Sequence, residues 1–274
     1  MRKLVFFIGL TILLGCQDVI EVELPTEEPR LVIDGIIRIK DMDQPLITVR
    51  IQASLSSSYF DSVQPARLQE ITLTNTDTDG VILLEERRNG TGIYEGEWTL
   101  AQLTEGNLEL NIRHNDQLYL ARTKFVPTVP IDSLKQGTTT LFGDDETEVL
   151  VSITDDGGRN DFYLFDFNFG EYLVTEDEFY QGQQFEFSFF YDKNLKDGRE
   201  LQISLLGVDE TFFNYMNQLI IQSGPDTGPF STPSTTVRGN IVNITDDIGT
   251  NKNNFALGYF AVCQTFSRTL TIKK

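Results

Sequence analysis

From Leu31 onward apolar residues recur at every second position, and that period constrains the fold more than any other feature of the chain. Ile47, Val49, Ile51 and Ala53 alternate with Thr48, Arg50 and Gln52. Successive side chains of a strand point to opposite faces, so this spacing predicts a strand buried on one side only. Ile71 and Leu73 alternate with Thr72 and Thr74 in the same way, and Leu108, Leu110 and Ile112 alternate with Glu109, Asn111 and Arg113. Further strands are expected over 31–37, 81–84, 93–98 and 118–125, separated by the turn signals Asp79-Gly80, Asn89-Gly90 and Glu105-Gly106-Asn107. Short antiparallel strands at this spacing predict an immunoglobulin-like β-sandwich over 31–127.

Pro127 and Pro130 interrupt the pattern and mark an expected domain boundary, followed by a polar connector over 131–143. The rest, 131–274, reads as a second antiparallel β domain, with strands expected over 149–153, 162–169, 185–191, 201–206, 255–263 and 266–272. The fold class is therefore all-β. Tyr163, Phe165, Phe167 and Phe169 share one face, and core packing is the commoner use of such a row than a ligand platform. One segment breaks period two. Phe212, Phe213, Tyr215, Met216, Leu219 and Ile220 recur at helical spacing, with Asp209 placed to cap the first turn and Gly224-Pro225 to end the last. A helix is expected at about 209–222. The Gly-, Pro-, Ser- and Thr-rich stretch after it is a long loop, and Pro225, Phe230 and Asn240 are its candidate binding residues.

The start of the chain carries a different grammar. Arg2 and Lys3 precede an apolar run over 4–14, and Gly15-Cys16 closes it. The run is shorter than the roughly 20 residues that span a bilayer. Basic flank, short apolar run, small residue and cysteine predict a lipoprotein signal peptide over 1–15, with acyl chains on Cys16. An ordinary secretory signal is the competing reading, and the placing of the cysteine at the cleavage position favours the lipid. The acidic, proline-bearing stretch 16–30 then reads as a lipidated tether, although 19–24 has the composition of an edge strand. With Cys16 acylated, Cys263 is the one remaining thiol, so no internal disulfide is expected and Cys263 reads as a buried small hydrophobe.

A formal net charge of −19 argues against nucleic acid and against attraction to an anionic membrane surface. The membrane is expected as a partner through the lipid alone. Catalytic signatures do not appear: no Gly-x-Ser-x-Gly elbow, no phosphate-cradling glycine loop and no His-Glu-x-x-His helix. His114, the single histidine, reads as a surface turn residue. Asn75, Asp77, Asp79, Gly80 and Glu86 fit the spacing of a calcium loop, but strands flank them and Asp79-Gly80 already suits a hairpin turn. A second acidic loop holds Asp155, Asp156, Asn160 and Asp161 around Gly157-Gly158, and Asp246-Asp247 make a third. Asp155, Asp156 and Asp161 are the candidate metal ligands, set against solvated turns as the simpler reading. No catalytic residue and no cofactor is expected, and the chain reads as non-enzymatic.

These landmarks together resemble a family of exported lipoproteins of Bacteroidota, the domain-of-unknown-function family 4249. The resemblance rests on Cys16 with Val19 and Glu21, Leu31-Val32-Ile33-Asp34-Gly35, Gly92-Ile93-Tyr94 and Pro130-Ile131-Asp132-Ser133. Asn160 to Tyr163, Tyr215, Gly239-Asn240-Ile241 and Leu257-Gly258-Tyr259-Phe260 continue it over nearly the whole mature chain. Where the family pattern runs from Asn160 into paired tyrosines, this chain has Asp161-Phe162-Tyr163. The resemblance implies an outer-membrane lipoprotein working with a TonB-dependent receptor in nutrient uptake, and it brings no catalytic residue. Gln17-Asp18 is a partial match to the surface-export signal of that phylum, and Asp61-Ser62-Val63 and Asp132-Ser133-Leu134 look like its O-glycosylation sequon. A free-standing surface module for glycans or peptides is the alternative function.

Overall fold

A computed structural model describes residues 28–58, 61–141, 146–191, 195–224, 235–245 and 255–273. In chain order the strands are β1 (Leu31–Ile39), β2 (Leu46–Leu55), β3 (Gln64–Pro65), β4 (Glu70–Asn75), β5 (Gly80–Leu83) and β6 (Glu85–Glu86). Then come β7 (Ile93–Thr99), β8 (Asn107–His114), β9 (Gln117–Val126), β10 (Ile131–Gln136), β11 (Thr147–Thr154) and β12 (Phe162–Asp166). The remainder are β13 (Tyr172–Glu176), β14 (Gln184–Tyr191), β15 (Glu200–Val208), β16 (Val242–Asn243) and β17 (Leu257–Thr271).

The period-two segments of the first half pair antiparallel, β1 with β2, β2 with β7, β4 with β5 and β8, and β8 with β9. Their alternate apolar residues close one core. Ile33 and Ile39 of β1, Val49 and Ile51 of β2, Ile71 and Leu73 of β4, and Leu108, Leu110 and Ile112 of β8 are all almost fully buried. Asp79 and Gly106 take positive φ in the tight turns, the conformation that Asp and Gly accept most readily. A five-residue helix, Leu100–Thr104, plugs one end through Leu103.

The second half stacks three layers. The sheet β10-β11-β14 faces β13-β12-β15-β17 across a core of Val149, Val151, Ile153, Tyr163, Phe165, Phe167, Leu201, Ile203 and Leu205. The other face of that second sheet is covered by the helix Glu210–Ser223, with Phe212 and Met216 against Leu164, Leu206, Tyr259 and Cys263. Asp209 caps this helix, its carboxylate accepting from the Phe212 N–H at 2.7 Å.

β17 binds the halves together. Leu257 to Gln264 run parallel to β1, and Thr265 to Thr271 run antiparallel to β15. The first core therefore includes Ile241, Ala256, Phe260 and Val262 from far along the chain, so the sandwich expected over 31–127 does not close from its own residues.

Several expectations are corrected. The connector expected over 131–143 contains a strand, β10, whose Ile131 and Leu134 face the core while Asp132, Ser133 and Lys135 disguise the alternation. β13 was not signalled by any alternation, because all five of its residues are half-exposed or exposed. The two strands expected over 255–263 and 266–272 are one, since Thr265 is buried and satisfies its hydroxyl on the Cys263 carbonyl at 3.3 Å. Phe169 leaves the aromatic row: β12 stops at Asp166, and Asn168 and Phe169 both take positive φ in the following turn. His114 is buried rather than a surface turn residue, with Nδ1 donating to the Arg67 carbonyl at 3.0 Å and Nε2 accepting from the Asn115 amide.

Candidate functional site

The acidic loop between β11 and β12 gathers the strongest concentration of ionisable groups. Asp155 follows the last residue of β11 and turns inward, so its carboxylate is buried; Asp156 turns outward to solvent. Asp155 accepts from the Tyr163 hydroxyl and, at 2.7 Å, from the Gly182 N–H. The same phenol oxygen lies 3.0 Å from Asp161 Oδ2. One phenol carries one hydrogen, so it is a donor to Asp155 or to Asp161 and cannot satisfy both fully. Asp161 is held instead by Arg159, whose Nε donates to Oδ1 at 2.6 Å and Oδ2 at 2.8 Å. Asp177 completes the set, accepting from the Asp161 N–H at 2.8 Å while its own N–H donates to the Asp161 carbonyl at 3.1 Å.

Burial, and then the Asp155 and Asp161 charges, push the Tyr163 hydroxyl far above its ordinary value of 10.0. The hydrogen bonds that Arg159 donates to Asp161 raise its guanidinium further above its ordinary range. Burial pushes Tyr180, next to the same cluster, up to about 12. All three buried carboxylates thus meet protein donors, as buried charges must. Among the described residues no group of three or more His, Cys, Asp or Glu is arranged to hold a metal ion. The arrangement locks the start of β12 to the turn before β14. Asp155 and Asp156, adjacent in sequence, do not form a carboxylate pair across a cleft. Asp177 and the Tyr163 hydroxyl escaped sequence reading; the signal within reach was Arg159, a lone base inside an acidic loop.

The calcium-like set divides between two turns. Asn75 is fully buried, donating to the Gln102 and Glu105 carbonyls at 2.8 and 2.6 Å and accepting from the Asp77 and Thr78 N–H groups. Asp77 accepts from Asn107, whereas Glu86 accepts from the Gly92 N–H at 2.9 Å in the next hairpin. Asn240 is likewise committed: its amide donates to the Arg122 and Phe260 carbonyls at 3.2 and 2.8 Å, and its Oδ1 accepts from the Phe260 N–H. It staples 235–245 to β17 and β9. Cys16, Pro225, Phe230 and Asp246-Asp247 lie outside the described residues. Cys263 is fully buried, and burial pushes its thiol up to about 12, which removes it as a nucleophile at neutral pH.

A groove of about 750 Å³ opens where residues 29–30 lead into β1, lined by Arg30, Ser56, Ser57, Ser58, Gln64 and Thr236 among others. Beside it the Arg30 and Arg238 guanidiniums stack on the Phe255 ring, 4.1 and 3.8 Å from its centroid. Among the described residues no helix is long and apolar enough to cross a membrane.

A family model described as a domain of unknown function, DUF4249, matches residues 17–269. No curated protein matches the chain. Among solved structures, a DUF4785 family protein from Legionella pneumophila is similar at 14% identity, over 65% of this chain and 51% of that one, with a TM-score of 0.24. The native conformation of alpha-2-macroglobulin from E. coli is similar at 13% identity, over 68% of this chain and 14% of that one, with a TM-score of 0.23.

Proposed function

The chain belongs to the family of unknown function DUF4249, and from that premise we propose that it is a non-catalytic lipoprotein of the bacterial outer membrane, accessory to a TonB-dependent receptor in nutrient uptake. The observation that carries this reading is the position of Cys16. It closes a basic-then-apolar leader, and the family match begins at residue 17, directly after it. Acyl chains there hold the protein to the membrane, each buried methylene contributing about 0.8 kcal/mol. The acidic stretch up to residue 30 spaces the folded body from the lipid. A non-catalytic role is supported by His114 and Cys263, both packed away, and by an acidic cluster whose carboxylates are spent on internal bonds. The receptor partnership and the placement in Bacteroidota follow from the family resemblance. Two measurements test the proposal. Mass spectrometry of the native protein is expected to find Cys16 acylated, and purification from detergent-solubilised membranes is expected to bring the receptor with it. An unmodified thiol at Cys16 overturns the anchor, and recovery of this protein alone overturns the partnership.

The hydroxyl-rich groove beside Arg30 favours one second reading, a free-standing glycan- or peptide-binding module. Binding on a glycan array by the purified chain, with no receptor present, would select it.

A further inference from the structure

We propose that the outer edge of β14 is a docking strand for an extended segment of another protein that carries basic side chains. β14 pairs with β11 in unbroken register from Thr154↔Gln184 to Thr147↔Tyr191, and no other described strand pairs with it. A strand with one partner leaves alternate N–H and C=O groups directed outward, a template for a further strand. The other described edges are short or guarded; the Thr265–Thr271 half of β17, which pairs with β15 alone, carries Arg268. β5 has four residues and β6 two, while β13 has five and runs into the 3-10 turn Asp177–Phe179. β10 is interrupted between Ile131 and Ser133 and carries Lys135; its Gln136 amide exchanges two hydrogen bonds with the Lys273 backbone at 3.0 and 2.8 Å. β14 has eight residues, no proline, no lysine and no bulge.

The edge is also preorganised. Tyr180 stacks on Phe185 at 4.2 Å, Phe185 on Phe187 at 5.2 Å and Phe167 on Phe189 at 3.8 Å, so ring contacts hold the inward side chains of the strand before anything binds. Ordering a template in advance lowers the entropic cost of association. Phe179, 86% exposed in the turn that precedes β14, is a further uncovered apolar side chain of this stretch.

Charge selects the partner. The stretch 172–191, which forms β13, the turn and β14, exposes Glu176, Glu178 and Glu186, buries Asp177 on its bond to Asp161, and contains no Lys or Arg. Arg199 stands 5.0 Å from the Phe169 ring, which in turn packs on Tyr191, so the acidic character is concentrated toward Gln184. A second copy would add another net charge of −19, which opposes self-pairing. An extended segment with alternating apolar and basic residues meets both the aromatic and the acidic features. This deepens the accessory reading by naming the contact surface, and it rests on that reading only for the partner's identity.

Hydrogen exchange on the full chain, without any receptor, tests it separately from copurification. A blocked peptide of alternating Val and Lys is expected to slow exchange of the β14 amides about tenfold, a Val/Glu peptide to leave them unchanged, and Glu186→Lys to abolish the effect. Glu186→Gln, which keeps the side chain's shape, is expected to weaken it only in part. The proposal is overturned if β14 is already fully protected without peptide, because its edge is then covered by this chain or by a second copy. Equal slowing by both peptides, slowing confined to other strands, or an unaltered effect in Glu186→Lys overturns it as well.

Discussion

Between β1-β2-β7 and β4-β8-β9 the packed side chains are mainly Ile, Leu and Val, with Tyr94, Trp98 and Tyr119 at intervals. Between β11-β14 and β12-β15 they include a run of touching rings from Tyr180 to Tyr191, bordered by Asp155, Asp161 and Asp177. The first core is held mainly by shape and area, with buried hydrogen bonds added at Tyr94, Asn75 and His114. The second combines area with ring geometry and with buried charges that must keep their donors. The same architecture therefore carries two different sensitivities, joined by one strand.

The largest test of that contrast is Phe167→Ala, which empties the centre of the ring stack and is expected to cost about 4 kcal/mol, read from denaturant midpoints. Leu73→Ala in the aliphatic core should cost about 3 kcal/mol. Because β17 serves both cores, each variant is expected to shift one common transition; two separable transitions would break the picture of coupled halves. Gly258→Ala comes next, at about 3 kcal/mol. Gly258 sits at φ +91°, and a Cβ there collides with the Ile33 backbone, so the β1–β17 pairing must open.

Tyr163→Phe is expected to cost about 2 kcal/mol, since Asp155 loses a buried donor. Its pH dependence sharpens the comparison. Tyr163, Tyr180 and Tyr191 are all held protonated beyond 10.0, mainly by burial. The unfolded chain ionises near 10.0 and the folded chain does not, so stability is complete below that pH and falls as pH rises above it. Tyr163→Phe should flatten that alkaline decline. On the acid side Glu148, lowered by the Ser188 hydroxyl and the Thr139 N–H, and Glu86, lowered by the Gly92 N–H, contribute stability above about pH 4.5. That contribution is lost as pH falls through their depressed values, and midpoints measured from pH 6 to 3 in Glu148→Gln should decline less. Smallest is Thr128→Val at the junction. Thr128 Oγ1 is the one buried side-chain oxygen or nitrogen without a partner among the described residues. Replacing it is expected to be neutral or to stabilise by about 0.5 kcal/mol.

Legibility followed solvent exposure. In the first half each sheet keeps one face wet, so residues such as Thr48 and Glu109 mark the alternation and seven of the nine strands are visible in sequence, while the two-residue β3 and β6 are too short to show a period. The sheet β13-β12-β15-β17 is covered on both faces, so Ser204 to Val208 and Tyr259 to Cys263 are buried without interruption and period two disappears. That is why β17 reads as two strands. The helix was legible because its apolar stripe has a solvent face and its cap is a single residue, Asp209. The Asp161–Asp177 pairing joins residues sixteen apart across a turn, and no local pattern encodes it.

The shared strand has a consequence for the order in which the protein can be made. Ribosomes deliver β1 some two hundred residues before β17, yet β1 lacks its parallel neighbour until Leu257 to Gln264 have emerged. Neither core can therefore be completed from its own half of the chain: each needs the last-made segment, which ties the closing of both to a single event at the C-terminal end.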